Sequence, residues 1–183
     1  MVRAKKDLIY LTGFMASGKS TIAPILANTL GYEFLDIDAE ITKVTGQSVS
    51  EIFHDYGEPY FRSVERTILA DASRRHGWVV SLGGGTVVDR ENLSVVQATG
   101  ILIYLKTDPE HIFRRVKYKT DRPLLQSPDG SSLPDEELRT RISSLLLLRE
   151  PFYERADLTI RTDDKRVGIT VDEIVRSIKQ NIV

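Results

Sequence analysis

Five short apolar runs recur along the chain: Leu8 to Leu11, Glu33 to Ile37, Trp78 to Leu82, Ile101 to Leu105 and Leu158 to Ile160. Most lack the polar–apolar alternation of a half-exposed strand. That predicts strands covered on both faces. Helical patterns fill the gaps. Ile22, Ile25, Leu26 and Leu30 share one face, with Gly31 as a stop. Ser48 to Glu51 reads as a capping box for a short helix through Phe53. Glu58-Pro59 opens a helix with Phe61, Val64, Ile68 and Leu69 inside, ending near Gly77. Asp108-Pro109-Glu110 starts another, carrying Ile112, Phe113 and Val116. Leu138, Ile142, Leu145 and Leu146 mark a long helix that should end or kink near Pro151, and Thr170 to Glu173 is a second capping box. Strands alternating with helices predict a three-layer α/β/α domain on a parallel sheet, with right-handed crossovers placing helices on both faces. Lys119 to Pro134, rich in Pro, Gly, Ser and Asp, fits neither pattern and reads as a lid or binding loop.

Length and composition narrow the classes. With 183 residues the chain is expected to make one domain, or one domain with a small appendage. The absence of Cys excludes disulfides, thiolate metal sites and cysteine nucleophiles. Its 25 Lys+Arg balance 26 Asp+Glu, so no polyelectrolyte partner such as nucleic acid is expected. The apolar runs are too short for a bilayer. The first apolar stretch breaks at Thr12-Gly13, too early for a secretory leader, which predicts a cytoplasmic protein.

The strongest motif lies between the first strand and the first helix. Gly13-Phe-Met-Ala-Ser-Gly18-Lys19-Ser20 fits the phosphate-loop pattern G-x-x-x-x-G-K-[ST] in its proper context. Amides of Ala16 to Ser20 should surround a phosphate at the helix N-terminus. Gly18 can take positive φ. Lys19 should reach the β- and γ-phosphates, and the Ser20 hydroxyl should ligate Mg²⁺. Pro24 in the outgoing helix predicts a kink or a bound water with structural consequence only. The tetrapeptides of a switch GTPase, Asp-x-x-Gly and Asn-Lys-x-Asp, do not occur. A small kinase remains.

A kinase needs a metal holder, a base, an acceptor clamp and cations on the moving phosphoryl group. Asp36-Ile37-Asp38 ends the second run, where strand C-termini face the ligand crevice. On an extended segment both carboxylates point the same way; the alternative is a helix N-cap. Arg62 and Glu65 share a helix face, and on residues alone an exposed ion pair is the better reading. Gly83-Gly84-Gly85 can bring backbone close to a ligand or form a flexible turn. Arg122 would act as a lid arginine over the γ-phosphate, or is a solvated charge. Arg149 stands near a helix end, where the dipole alone favours a cation. His54, His76 and His111 show no metal-ligand spacing, and Trp78 reads as packing.

Taken together, GFMASGKST, FLDID, GEPYFRSVE, SLGGGTV, DRPLL and REPFY, in that order across almost the whole chain, resemble the shikimate kinase family. The resemblance implies the nucleoside monophosphate kinase-like fold, with five parallel strands in the order 2-3-1-4-5. It implies Mg-ATP-dependent phosphorylation of the 3-hydroxyl of shikimate, within aromatic amino acid biosynthesis. By position, Asp38 matches the hydroxyl-binding residue and proposed base, Ser20 the direct Mg²⁺ ligand, and Asp36 the carboxylate that holds the metal through water. Ala16, Ser17, Gly18, Lys19, Ser20 and Thr21 match the ATP-binding loop. Arg62 and Arg149 match the carboxylate clamp, Glu65 the residue that orients it, and Gly84, within Gly83 to Gly85, a backbone contact to the acceptor. Arg122 matches the lid arginine and Arg115 a residue that packs on adenine. Lys165 or Arg166 stands where a late adenine-side residue is expected. The resemblance further implies a single domain over 1–183, a shikimate-binding region over about 38–66 and a lid over about 117–135. The lid, through residues 127–132, is slightly long for the family. The expected partners are ATP and shikimate, with no nucleic acid or membrane, and the expected state is a monomer. The rival readings are a gluconate or nucleoside monophosphate kinase of the same fold, and a nucleotide-binding regulatory module without turnover.

Overall fold

In the computed structural model, residues 7–118, 123–125, 127 and 131–181 are described. In chain order the elements are β1 (Leu8–Thr12), α1 (Lys19–Leu30), β2 (Glu33–Asp36), α2 (Ile37–Thr45), α3 (Val49–Asp55), α4 (Gly57–Ala72), β3 (Trp78–Ser81), α5 (Arg90–Thr99), β4 (Ile101–Lys106), α6 (Pro109–Val116), α7 (Asp135–Tyr153), β5 (Leu158–Arg161) and α8 (Val167–Asn181). The strands form one sheet in the order β2-β3-β1-β4-β5. Every pair is parallel.

The two-residue period of the strands divides the core into two layers. Ile9, Leu11, Val79, Ile103 and Leu105 pack against Ile22, Leu26 and Ile174 of α1 and α8. Leu8, Tyr10, Val80, Leu102 and Tyr104 face the larger layer, with Ile41, Phe61, Leu69, Val96, Ile112 and Ile142. All five residues of β1 are buried, as a central parallel strand requires. Burying each such aliphatic side chain contributes about 1.5–3 kcal/mol before the chain-entropy cost.

Register aligns the functional end of the sheet. Leu11 and Asp36 both stand opposite Ser81, and Thr12 stands opposite Tyr104. The segments after β1, β2, β3, β4 and β5 therefore emerge along one edge, at the carboxyl ends of the strands. Such an edge is where open α/β sheets hold ligands.

Several local expectations are corrected. Ile37 opens α2 rather than ending β2, because Asp36 Oδ1 accepts from the Ala39 amide at 3.1 Å and caps the helix. Pro59 is the third residue of α4, where a missing N–H still costs little because the first helical amides have no intrahelical partner. That helix ends at Ala72, before Gly77. Pro151 does not end α7, which runs on to Tyr153. Thr170 is no cap: α8 begins three residues earlier, and the Thr170 hydroxyl donates back to the Arg166 carbonyl. The capping box at Ser48 and Glu51 forms in full. Gly31 closes α1 with φ 68° and its N–H on Ala27 and Asn28 carbonyls, and α1 runs through Pro24. Of the stretch 119–134, Pro123–Leu125 form one 3-10 turn. Its flanks are joined by an ion pair between Lys117 Nζ and Asp135 Oδ2 at 2.6 Å.

Candidate active site

The loop from Gly13 to Gly18 makes its shape from unusual backbone angles. Gly13 has φ 144°, Ala16 φ 60° and Gly18 φ 101°. Ala16 carries a Cβ in the left-handed region, a local strain of the kind that collects at binding sites. Gly13 has no alternative, since a Cβ there would lie 2.6 Å from the Leu105 carbonyl oxygen. One of the anticipated loop amides is already engaged, Ser17 N–H donating to Phe14 O at 3.2 Å, and just beyond them Thr21 N–H donates to Gly18 O at 3.0 Å. Lys19 is buried and folds over the loop, donating from Nζ to the carbonyls of Gly13 (2.7 Å) and Phe14 (3.0 Å). Its ammonium is thus held at the centre of the curl.

This loop is one wall of a cavity of about 620 Å³. The cavity takes in Ala16 to Thr21, Asp36, Asp38, Gly84, Arg115 and Lys165. The two aspartates reach it from different elements: Asp36 is the cap and Asp38 lies in the first turn of α2. They meet there through the bend at the cap, not through strand alternation. Both readings of Asp36 are compatible, since the cap uses only Oδ1 of its carboxylate. A serine hydroxyl and carboxylate oxygens are hard donors of the kind Mg²⁺ takes, so the residues present fit that ion.

Arg115 donates to the Ala16 carbonyl at 2.9 Å and approaches that of Thr162 at 3.5 Å. It ties the phosphate loop to the segment after β5. Lys165 Nζ pairs with Glu173 at 2.7 Å. His111 contributes to the same end: it lies 3.1 Å from Asp164 and 3.6 Å from Asp163. Asp108, His111 and Asp163 are close enough to hold a cation, although their sequence spacing suggested none. His54 and His76 are exposed beside Asp55 and Asp7. Trp78 packs under Arg75, whose guanidinium lies 4.4 Å from the ring centre.

The opposite wall is built from side chains. Glu65 is fully buried. Its Oε2 receives Arg62 Nη1 at 2.8 Å and its Oε1 receives the Thr86 hydroxyl at 2.6 Å. Arg62 also donates to Glu58 through Nε (3.1 Å) and Nη2 (2.9 Å). The exposed-ion-pair reading of Arg62 and Glu65 therefore fails. Burial disfavours the Arg62 charge, but Glu65 and Glu58 outweigh it and its pKa is raised. Asn92 Nδ2 donates to the Thr86 carbonyl at 3.1 Å, extending the support into α5. Thr86, Asn92 and Glu58 were missed in the sequence. Only Glu58, four residues before Arg62, left a signal there.

Gly83 and Gly85 leave room for these side chains, and Gly84 lies against them. A methyl group on Gly83 would lie 3.0 Å from Asp38 Oδ1, 3.0 Å from Glu65 Oε1 and 3.1 Å from Thr86 Oγ1. One on Gly84 would lie 3.5 Å from Arg149 Nη1. One on Gly85 would overlap the Arg62 guanidinium, 2.9 Å from Cζ. Asp38, Arg62, Glu65 and Arg149 thus converge on three consecutive residues beside the phosphate loop. Arg122, expected over the phosphates, lies outside the described residues.

Comparison with known proteins agrees with this geometry. A family model described as shikimate kinase matches residues 15–182. A shikimate kinase of Chlorobaculum tepidum is 48% identical over 176 residues, which cover 96% of this chain and 92% of that one. A solved shikimate kinase from Acinetobacter baumannii in complex with shikimate superposes with a TM-score of 0.87 at 34% identity, covering 96% of this chain and 94% of that one. The structure of shikimate kinase from Bacteroides thetaiotaomicron gives 0.85 at 31% identity, with coverages of 94% and 98%. Shikimate kinases thus match the chain over nearly its full length in both sequence and structure, and the chain belongs to the shikimate kinase family.

Proposed function

We propose that this shikimate kinase transfers the γ-phosphoryl group of ATP to the 3-hydroxyl of shikimate at the cavity between the phosphate loop and the three glycines, giving shikimate 3-phosphate and ADP. The observation that carries the assignment is the convergence of Asp38, Arg62, Glu65 and Arg149 on Gly83 to Gly85, one wall away from Lys19. Ala16 to Thr21 hold the triphosphate, with loop amides and the α1 N-terminus meeting its charge. Lys19 exchanges loop carbonyls for β- and γ-phosphate oxygens. Arg115 and Lys165 stand at the adenine end, and Arg122 closes from the lid, as its motif implies.

Shikimate is a small carboxylated triol. Arg62 and Arg149 take its carboxylate, because a guanidinium matches a carboxylate with paired N–H donors. Glu65 holds Arg62 in place before the substrate arrives. Asp38 accepts from the hydroxyls and removes the proton of the attacking one, onto a carboxylate oxygen. Gly84 lets the ring approach the main chain. Ser20 would hold Mg²⁺ directly and Asp36 through water; when bound, the ion would neutralise phosphate charge. The protein's own contribution is positioning and charge complementarity, which suffices for a loose phosphoryl-transfer transition state.

The same reading makes the chain one kinase domain, with an acceptor-binding region over about 38–66 and a lid over about 117–135. It acts as a cytoplasmic monomer with no nucleic-acid or membrane partner. No described helix is long and apolar enough to cross a membrane. The test is ADP release from Mg-ATP with shikimate, with gluconate, with nucleoside monophosphates and with no acceptor. Shikimate alone should drive turnover. Equal turnover of gluconate would reject the acceptor assignment, and no shikimate-dependent ADP would favour a regulatory nucleotide binder.

A further inference from the structure

The two arginines of the clamp are held in different ways. Arg62 is gripped by Glu58 and Glu65. Among the described residues no carboxylate forms an ion pair with Arg149. Its neighbour is Tyr153, one helical turn further along α7 and therefore on the same face. Tyr153 is wholly buried, its ring 5.2 Å from that of Tyr104. Its hydroxyl donates to the carbonyl of Gly84. Arg149 Nη1 lies 3.5 Å from the position a Gly84 methyl would take, so the phenol and the guanidinium both lie against Gly84.

A phenol that donates its proton keeps lone pairs with which to accept another bond. Arg149, one turn away on the same helix face, is the donor placed to make it. Burial pushes the Tyr153 pKa up to about 12, while the charge and hydrogen bond of Arg149 and the charge of Arg62 oppose the rise. The hydroxyl therefore stays protonated at neutral pH and can donate to Gly84 while accepting from Arg149.

We propose that Tyr153 is a positioning residue: its hydroxyl, fixed on the Gly84 carbonyl, sets the Arg149 guanidinium for the acceptor carboxylate. This rests on the assignment of Arg149 to the shikimate carboxylate. The role is the counterpart of Glu65 for Arg62, with a neutral anchor in place of a charged one. A carboxylate in that position would compete with the substrate for Arg149, whereas a phenol holds the guanidinium without neutralising it.

Tyr153→Phe keeps the ring and removes the hydroxyl. The expected result is a shikimate KM raised about 10-fold, the range for a hydrogen bond to a charged group. The ATP KM and kcat should stay within about twofold. In an Arg149→Ala background the same change should add nothing to the shikimate KM. An unchanged shikimate KM in the single variant, equal losses for ATP and shikimate, or a full additional loss in the Arg149→Ala background would overturn the proposal. Replacement of Tyr153 by 4-aminophenylalanine serves if the phenylalanine variant does not fold. The aniline still donates to Gly84 but accepts poorly from Arg149, so shikimate KM should rise while the melting temperature holds. A wild-type KM would reduce Tyr153 to a fold contact. Failure of the underlying assignment would look different: Arg149→Ala alone would leave the shikimate KM unchanged.

Discussion

The two walls of the cleft are made in opposite ways. The nucleotide wall is one continuous segment whose shape comes from main-chain angles at Gly13, Ala16 and Gly18 and from a lysine bonded to its own loop. The acceptor wall gathers side chains from α2, α4, the turn after β3 and α7. Eighty-seven positions separate residues 62 and 149. A local wall depends on a few consecutive residues, so a short motif is enough to specify it. A wall assembled across the fold depends on supporting contacts, such as Thr86 on Glu65 and Asn92 on Thr86, and no spacing rule reveals those.

The comparison can be broken first at the point where the walls meet. Asp38→Asn should leave the fold and ATP binding intact and lower kcat by roughly 10²–10⁴-fold, the usual reach of a positioned base. Wild-type turnover would remove Asp38 from the chemistry. Next, Arg62→Ala should raise the shikimate KM by roughly 10–100-fold with little change for ATP. Matching losses for both substrates would mean that the walls are not separable.

Paired glycine substitutions sharpen the contrast. Gly13→Ala drives a methyl onto the Leu105 carbonyl, a main-chain atom that cannot swing aside. It should cost about 1–3 kcal/mol of stability in denaturant titration and weaken ATP binding. Gly85→Ala first meets the Arg62 guanidinium, the far end of a long side chain. It should displace Arg62, raise the shikimate KM and cost less stability. Equal destabilisation by both would contradict the division into main-chain and side-chain walls.

The smallest effect concerns the support behind the acceptor wall. Asp89 caps α5 through the amides of Glu91 and Asn92. Burial raises its pKa, but those amides and Arg66 outweigh it, and the net shift is downward. A depressed carboxylate stabilises the fold above its unfolded pKa of about 3.9, and that contribution fades as pH falls through the lower native value. Asp89→Ala should therefore cost about 1 kcal/mol near pH 7, with the gap to wild type closing in strongly acid melts. A gap that stayed constant down to pH 2 would mean the charge plays no part.

The sheet and most helices were legible because their apolar residues repeat with the period of the element. Every expected strand is present, with ends shifted by a residue where a cap intervenes, as at Asp36. The errors share a cause. Thr170 and Glu173 imitate a capping box inside α8, and α5 escaped notice because only Leu93 and Val96 mark its buried stripe. Both are cases in which packing, not local pattern, sets the boundary. Within the site, the phosphate loop was readable from its own letters. Arg62, Glu65 and Arg149 were ambiguous until the family pattern was applied, because an ion pair on a helix has the same spacing whether it is buried or solvated. Glu65 became decisive only when its neighbours closed over it.

Gly83, Gly84 and Gly85 also bear on how far this enzyme can be hardened against heat. Each glycine leaves the denatured chain more conformations to lose, and replacing one by alanine at a permissive position commonly stabilises a protein by about 0.4–1 kcal/mol. Here that route is closed at residues 83 and 85, since the first methyl would crowd Asp38 and Glu65 and the second would collide with Arg62. On the proposed assignment, resistance to melting and hold on the acceptor compete for the same stretch of backbone, so a more thermostable version of this chain must find its gains elsewhere.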